Sequence, residues 1–382
     1  MAQKNRLFKI FYIRFILFFI CSLSITGEIL FIKNTLKDIE ECEGKIKLTL
    51  IRVWGEEDSD DNNQYFRFPR DIKIRDNNNV YIADSGNNRI QVFDRSAKYL
   101  ETLGRRGQGP ADLLCPTSLA FDSLGKLIVA DYENLRIQAF DEHGKYAYSF
   151  RTLKSRPSLV ALTKKSKIAV YSHMDSFKTK SLIQIYNQKG VLTGKIGKPN
   201  KTAQSIAEME NAYFTLDPED NFLISFYMTP LIKKFDSQGK ELWISTFETP
   251  LKTPVIEFDK NRNETKVSGP VKLIASAGIS VDQVGRIFIA TAIREKKKNE
   301  KFFLVGGSGS DIRKVSNNPL PDDTDMYRLL VFDKSGKIFA AKRLIVYCDQ
   351  IYVHKDTLFI IDTYVGMKIF EYRISFNQDI SK

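Results

Sequence analysis

Apolar and polar residues alternate in short runs along almost the whole chain, and clusters of small polar residues interrupt the runs. A period of two predicts β-strands, and the clusters predict the turns between them. The stretch "VYIADSGNNRIQVFD" (80–94) is the clearest case. Tyr81, Ile82 and Ala83 form a strand, and Ile90, Val92 and Phe93 its returning neighbour. Ser85 to Asn88 reverse the chain, because Gly86 and the Asn pair accept a positive φ. The pattern returns at 129–141 as "VADYENLRIQAFD", with Asp131 five residues ahead of Arg136, as Asp84 is of Arg89. Weaker turn copies are anchored at Asp94, Asp141, Asn187, Asp236 and Asp333, at intervals of 47, 46, 49 and 97. Such a period means one supersecondary unit stacked repeatedly.

Each repeat divides into four short strands, for example "RDIKI", "NVYIAD", "RIQVFD" and "YLETLG". The last unit, "QIYVH", "LFIID" and "MKIFEYRI", lacks a fourth strand. "KLTLIRVW" (47–54) is a strand followed by Gly, a polar loop and Pro, the same order as residues 99–116. It is expected to complete the last unit and leave no long free edge. The fold class is therefore all-β: a six-bladed β-propeller of four-stranded antiparallel blades, its ring closed by the N-terminal strand. The propeller spans 46–376, with 27–45 as a linker and 377–382 as a tail. The interval of 97 is assigned to insertions at 248–270, which include a hairpin at 253–269, and at 293–326.

The first 26 residues are of different composition. Four basic and no acidic residues precede an apolar run from Phe15 to Ile25, the make-up of a signal peptide. An uncleaved signal anchor is the second reading, since "EILFI" extends the apolar run past Glu28; lipid modification at Cys21 is the third. All three place the rest outside the cytoplasm, periplasmic or extracellular, with membrane attachment where the segment is kept. Losing the leader's four positive charges takes the formal net charge from +12 to +8. "REKKKNEK" (294–301) is read as a solvated loop, and so is the acidic "EEDSDDNNQ" (56–64), which lacks the spacing of a calcium loop. Cys42, Cys115 and Cys348 contain no C-x-x-C pair, which speaks against structural zinc and favours buried thiols.

The first two repeats, "FRFPRDIKI…NNVYIADSGNNRIQVFD" and "GQGPADLLCPTSLAFDSLGKLIVADYENLRIQAFD", resemble NHL repeats. The whole chain is similar to exported bacterial six-bladed propeller proteins that carry them. Phe226 and Leu231 stand where the fourth repeat would hold its Asp and Arg, and Met367 where the last would hold its Arg. The resemblance implies that Asp84–Arg89 and Asp131–Arg136 pin the same turn in successive blades. It also admits lyase or hydrolase activity at the channel mouth, because amidating lyases, lactonases and streptogramin lyases share such folds. Lyases of that kind need converging histidines. Here His143 and His354 fall in turns opposite to His173, and there is no nucleophile motif or phosphate loop. No catalytic residue, metal or cofactor is assigned. RNA binding is not expected, since the basic residues lack interleaved aromatics.

The connections decide where a partner would bind. First-to-second and third-to-fourth connections are uniformly short, whereas 55–66, 104–115, 172–181, 198–211, 248–270 and 293–326 all fall on the other face. Long loops carry function more often than tight turns do. The expected activity is non-catalytic binding of a protein, peptide or glycan by a monomer. Arg70, Arg105, Arg106, Tyr132, His173 and Tyr364 are placed on or near the binding face.

Overall fold

The computed structural model describes residues 29–55, 63, 65–75, 78–152, 155–172, 181–198, 211–251, 255–259, 264–268, 276–294, 325–363 and 365–377. Three elements come first: β1 (Leu30–Asn34), α1 (Leu36–Glu41) and β2 (Ile46–Trp54). Blade 1 follows as β3 (Pro69–Ile74), β4 (Val80–Asp84), β5 (Arg89–Phe93) and β6 (Tyr99–Leu103). Blade 2 contains β7 (Pro116–Phe121), β8 (Leu127–Asp131), β9 (Arg136–Phe140) and β10 (Tyr146–Arg151). Blade 3 contains β11 (Pro157–Leu162), β12 (Ile168–Ser172), β13 (Ile183–Tyr186) and β14 (Leu192–Ile196). In blade 4 these are β15 (Ala212–Leu216), β16 (Phe222–Phe226), β17 (Leu231–Phe235) and β18 (Glu241–Phe247). The hairpin β19 (Val255–Asp259) and β20 (Glu264–Ser268) precedes blade 5. Blade 5 is built of β21 (Ile279–Val281), β22 (Ile287–Ala292), β23 (Tyr327–Phe332) and β24 (Ile338–Leu344). Blade 6 ends the series with β25 (Gln350–His354), β26 (Thr357–Asp362) and β27 (Lys368–Phe376).

Within every blade neighbouring strands pair antiparallel, in chain order except that β2 supplies the fourth strand of blade 6, so that each of the six blades has four antiparallel strands. The second strands are buried along their whole length. Each blade is covered on both sides by its neighbours, so its inner strands are apolar without alternation. Between blades 6 and 1, for example, Trp54, Ile72, Ile82, Phe93, Phe359 and Ile361 form one cluster. Each such buried side chain contributes about 1.5–3 kcal/mol of transfer free energy.

The ring closes through the N-terminal strand. β2 lies antiparallel on β27 from Ile46 opposite Phe376 to Trp54 opposite Ile369, with one bulge between Leu50 and Arg52. The expected 27–45 linker, in contrast, is corrected. β1 adds to blade 4 as a fifth strand, parallel to β18. α1 then packs against β24 of blade 5, starting from a reciprocal capping box between Thr35 and Asp38. The first described segment is thus a belt over the outer edges of blades 4, 5 and 6. Asn34 rivets it to them, donating to Ser245 Oγ (3.0 Å), Thr246 O (3.0 Å) and Gly336 O (3.2 Å) and accepting from Ile338 N (2.8 Å). A five-residue strand and a six-residue helix are too short to show a period, and both depend on edges that the blades supply. The leader, residues 1–26, lies outside the described residues. No helix among those described is long and apolar enough to cross a membrane.

Candidate functional site

In blades 1 and 2 the Asp–Arg pair holds down the incoming loop as well as its own turn. Asp84 accepts from Arg67 N (2.7 Å), Asn87 Nδ2 (2.9 Å) and Arg89 Nε (2.8 Å). Asp131 repeats this with Leu114 N (2.7 Å), Asn134 Nδ2 (2.8 Å) and Arg136 Nε (2.7 Å). Burial pushes both carboxyl groups above the ordinary aspartate range, and the three donors act against it. The guanidinium groups reach further: Arg89 donates to Tyr65 O, and Arg136 to Gln108 O, Gly109 O and Asp112 O. Gln91 and Gln138, both fully buried, hold the same loops through Asn63 O and Asp112 O. Because these two glutamines read as ordinary strand positions, the sequence analysis passed over their role. Their recurrence after Arg-Ile was the available signal.

The last blade requires a correction. Asp362 stands opposite Lys368, as Asp84 does opposite Arg89, so Lys368 and not Met367 holds the Arg position. Met367 takes the left-handed backbone that Asn88 and Leu135 adopt at the matching turns, with φ of +54°, +58° and +56°. The turn is one residue longer, which a count of five from Asp362 overlooks.

At the inner end of the same face, the blades are stitched by hydroxyls. Ser85 bonds Pro116 O in the next blade, and Thr363 bonds Pro69 O at 2.8 Å. Tyr132 occupies that position in blade 2 and does something else. Its ring lies 5.5 Å from the Arg156 guanidinium of blade 3, and Arg156 also pairs with Glu133 at 3.2 Å. Burial raises the pKa of the nearby Cys115 thiol; the charges of Arg70 and Arg156 oppose this, and those of Glu133 and Asp131 reinforce it. Tyr132, Glu133 and Arg156 therefore meet where blades 2 and 3 join, and the charge of Arg70 is felt at the adjacent Cys115. Arg156, which sequence reasoning missed, comes from the blade 2 to blade 3 connection.

Arg105 and Arg106 belong to the outer part of loop 104–115, apart from that cluster. Arg105 pairs with Asp112 at 2.9 Å, and both Arg105 and Arg106 are exposed. His173 and Tyr364 lie outside the described residues. His143 and His354 occupy a third-to-fourth and a first-to-second turn, so both lie on the face opposite the long loops. Cys42, Cys115 and Cys348 are free and buried. Among the described residues, no three His, Cys, Asp or Glu side chains gather to hold a metal ion.

With this geometry established, the sequence model of the DUF5128 family, described as "6-bladed beta-propeller", matches residues 62–305. The chain belongs to this 6-bladed beta-propeller family. No curated protein matches it. Among solved structures, a DUF4221-family protein of Bacteroides vulgatus superposes on this propeller with a TM-score of 0.57 at 10% identity, covering 87% of this chain and 99% of that one. A protein of unknown function from Bacteroides thetaiotaomicron gives 0.52 at 13% identity, over 86% and 76% of the two chains. A candidate exported protein of Bacteroides fragilis gives 0.51 at 10%, over 92% and 100%. At these identities what is shared is the fold.

Proposed function

We propose that the chain is an exported, non-catalytic binding propeller of the NHL-repeat kind, engaging a protein, peptide or glycan through its long-loop face. One observation carries this reading. The loops entering blades 1 and 2 are clamped by the same Asp–Arg–Gln arrangement, so that Arg106 is presented on a rigid loop beside the Tyr132–Arg156 contact, while the opposite face consists of minimal turns. Pre-organised loops lose little entropy on binding. The recurrence of "RIQ" between Asp-pinned turns supports the NHL character. The composition of the leader and the likeness to a candidate exported protein support export. Lyase or hydrolase action at the channel mouth has less support, because His143 and His354 lie on the other face.

The test is to pass the purified protein over a glycan array and a peptide library, and then to compare variants on any ligand retained. Arg106→Glu should weaken binding about tenfold or more, as central interface arginines do. Lys164→Glu with Lys165→Glu, on the opposite face, should leave it unchanged. Equal losses from both changes, or conversion of the bound ligand to a product, would overturn the proposal.

A further inference from the structure

The face of minimal turns has a chemistry of its own. All five of its third-to-fourth turns carry an exposed lysine: Lys98, Lys145, Lys189, Lys240 and Lys337. In each turn the side chain of the opening Asp or Asn accepts the backbone N–H of that lysine, as Asp94 does from Lys98 at 2.9 Å and Asp236 from Lys240 at 2.9 Å. The carboxylate or amide oxygen is thereby tied to the turn backbone, while the ammonium group is left exposed. Among these lysines stand apolar side chains that nothing in the fold requires to be exposed. Leu124 is 77% exposed, Val284 68% and Val191 56%, all at or beside turns of this face. Lysines interspersed with exposed aliphatic groups are the make-up of a surface that sits at the headgroup level of a bilayer.

The path of the belt supplies an independent reason. β1 runs parallel to β18, and β18 begins just after the Asp236–Lys240 turn. Leu30, opposite Trp243, therefore enters blade 4 at the end of the strand next to that turn, and it is itself 57% exposed. The described chain therefore starts, at Ile29 and Leu30, on the side of the minimal turns, and the sequence before it carries a basic and then an apolar run.

We propose that this face rests on a lipid surface bearing anionic headgroups, so that the long-loop face points away from the membrane. The lysine ring supplies the electrostatic attraction, and Leu124, Val191, Val284 and Leu30 enter the interface. Attraction of this kind falls off within about a Debye length, ~8 Å at physiological salt, so it acts only when the turns touch the headgroups. The proposal concerns a different surface from the ligand-binding reading and stands or falls separately from it.

The experiment uses the full chain with a fluorophore on one introduced cysteine, at Leu124→Cys or at Gln108→Cys on the long-loop face. Each is mixed with vesicles of brominated phosphatidylcholine, with or without phosphatidylglycerol. The label at position 124 should be quenched only when phosphatidylglycerol is present, and the label at 108 should not be quenched at all. Each of Lys98→Gln, Lys189→Gln and Lys240→Gln should lower vesicle partitioning about fivefold, the worth of one basic side chain at an anionic surface. Arg106→Glu should leave partitioning unchanged. Quenching of the 108 label, quenching that ignores phosphatidylglycerol, or no quenching at either position would overturn the proposal. Because the leader is the same in all variants, its own lipid affinity cannot produce the loss of partitioning in the lysine variants.

Discussion

Trp54 donates its indole N–H to Glu371 Oε2 at 3.0 Å, across 317 positions of sequence. The Glu371 side chain is buried, and Arg95 from blade 1 holds its other oxygen at 2.6 Å. Arg52, at 3.9 Å from the carboxylate, also lies over the Trp54 ring at 5.1 Å. One carboxylate therefore ties together the N-terminal strand, the last blade and the first blade. The ring closes around a charge as well as around an apolar cluster.

Glu371→Ala should be among the more damaging single changes in the protein. It leaves two guanidinium groups beside an apolar seam without their acceptor, and losing one partner of a buried pair costs about 3–5 kcal/mol. The arginines are partly solvated, which places the expectation near 3 kcal/mol. Trp54→Phe, which keeps the ring and loses the donor, should cost about 1–3 kcal/mol. Urea unfolding measures both, and near-equal costs would show that packing rather than the charged centre holds the seam.

Deletion of residues 46–54 removes the whole outer strand of blade 6. The edge of β27 is then free to pair with other chains, and light scattering should report aggregation. A monomeric truncation of unchanged stability would mean that closure does not depend on β2.

The blades were legible because each strand is a short apolar or alternating run and each turn carries its own punctuation, as from Tyr81 to Phe93. Even the circular permutation was readable, since β2 keeps the strand, Gly and Pro order of its counterparts. The belt was not, because β1 is held by backbone pairing to an edge that exists only in the folded blade. Thr35 and Asp38 did carry a capping signal, but four residues of it could not outweigh the surrounding chain. The site was legible only in part. Tyr132 packs under Arg156 at the junction of blades 2 and 3, and Arg156 was missed because its partner is 24 positions away and no local pattern joins them. Arg105 and Arg106 looked alike in sequence, and the contact of Arg105 with Asp112 depends on a loop fold that no local pattern announces.

Asn34→Ala should release the belt without unfolding the blades. The substitution strands Ile338 N and three acceptors that Asn34 satisfies, at a cost of about 1–3 kcal/mol. Asn34→Asp should do worse, since a carboxylate would then face Thr246 O and Gly336 O. Hydrogen exchange at the β1 amides reads the effect. Retained protection in both variants would leave backbone pairing as the sole anchor.

Loop 104–115 should depend on pH in one direction. Hydrogen bonds from Arg105 and then Gly109 N hold the Asp112 carboxyl below the ordinary value of 3.8. A depressed pKa in the folded state adds stability above the unfolded value and loses it as pH falls through the folded one. The Gly109 amide should therefore stay protected above about pH 4 and lose protection only in stronger acid. Asp112→Asn should remove that acid-dependent loss, and an unchanged profile in the variant would point to another group.

The clamp on that loop yields the sharpest local expectation. Arg136 gives one donor to Asp131 and three to the carbonyls of Gln108, Gly109 and Asp112, whereas Gln138 contributes a single bond to Asp112 O and accepts Ala111 N at 3.0 Å. Arg136→Leu leaves Asp131 buried beside only Leu114 N and Asn134, and burial already raises the pKa of that carboxyl. The group should respond by taking up a proton rather than remaining charged. The loss of stability should then grow as pH rises, because the unfolded chain releases that proton more readily than the folded one. Gln138→Ala has no such carboxylate to strand, and its cost of about 1–3 kcal/mol should be independent of pH. Unfolding of both variants at pH 5 and pH 8 separates them. A pH-independent cost for Arg136→Leu would show that its loop carbonyls, and not Asp131, are what the guanidinium serves.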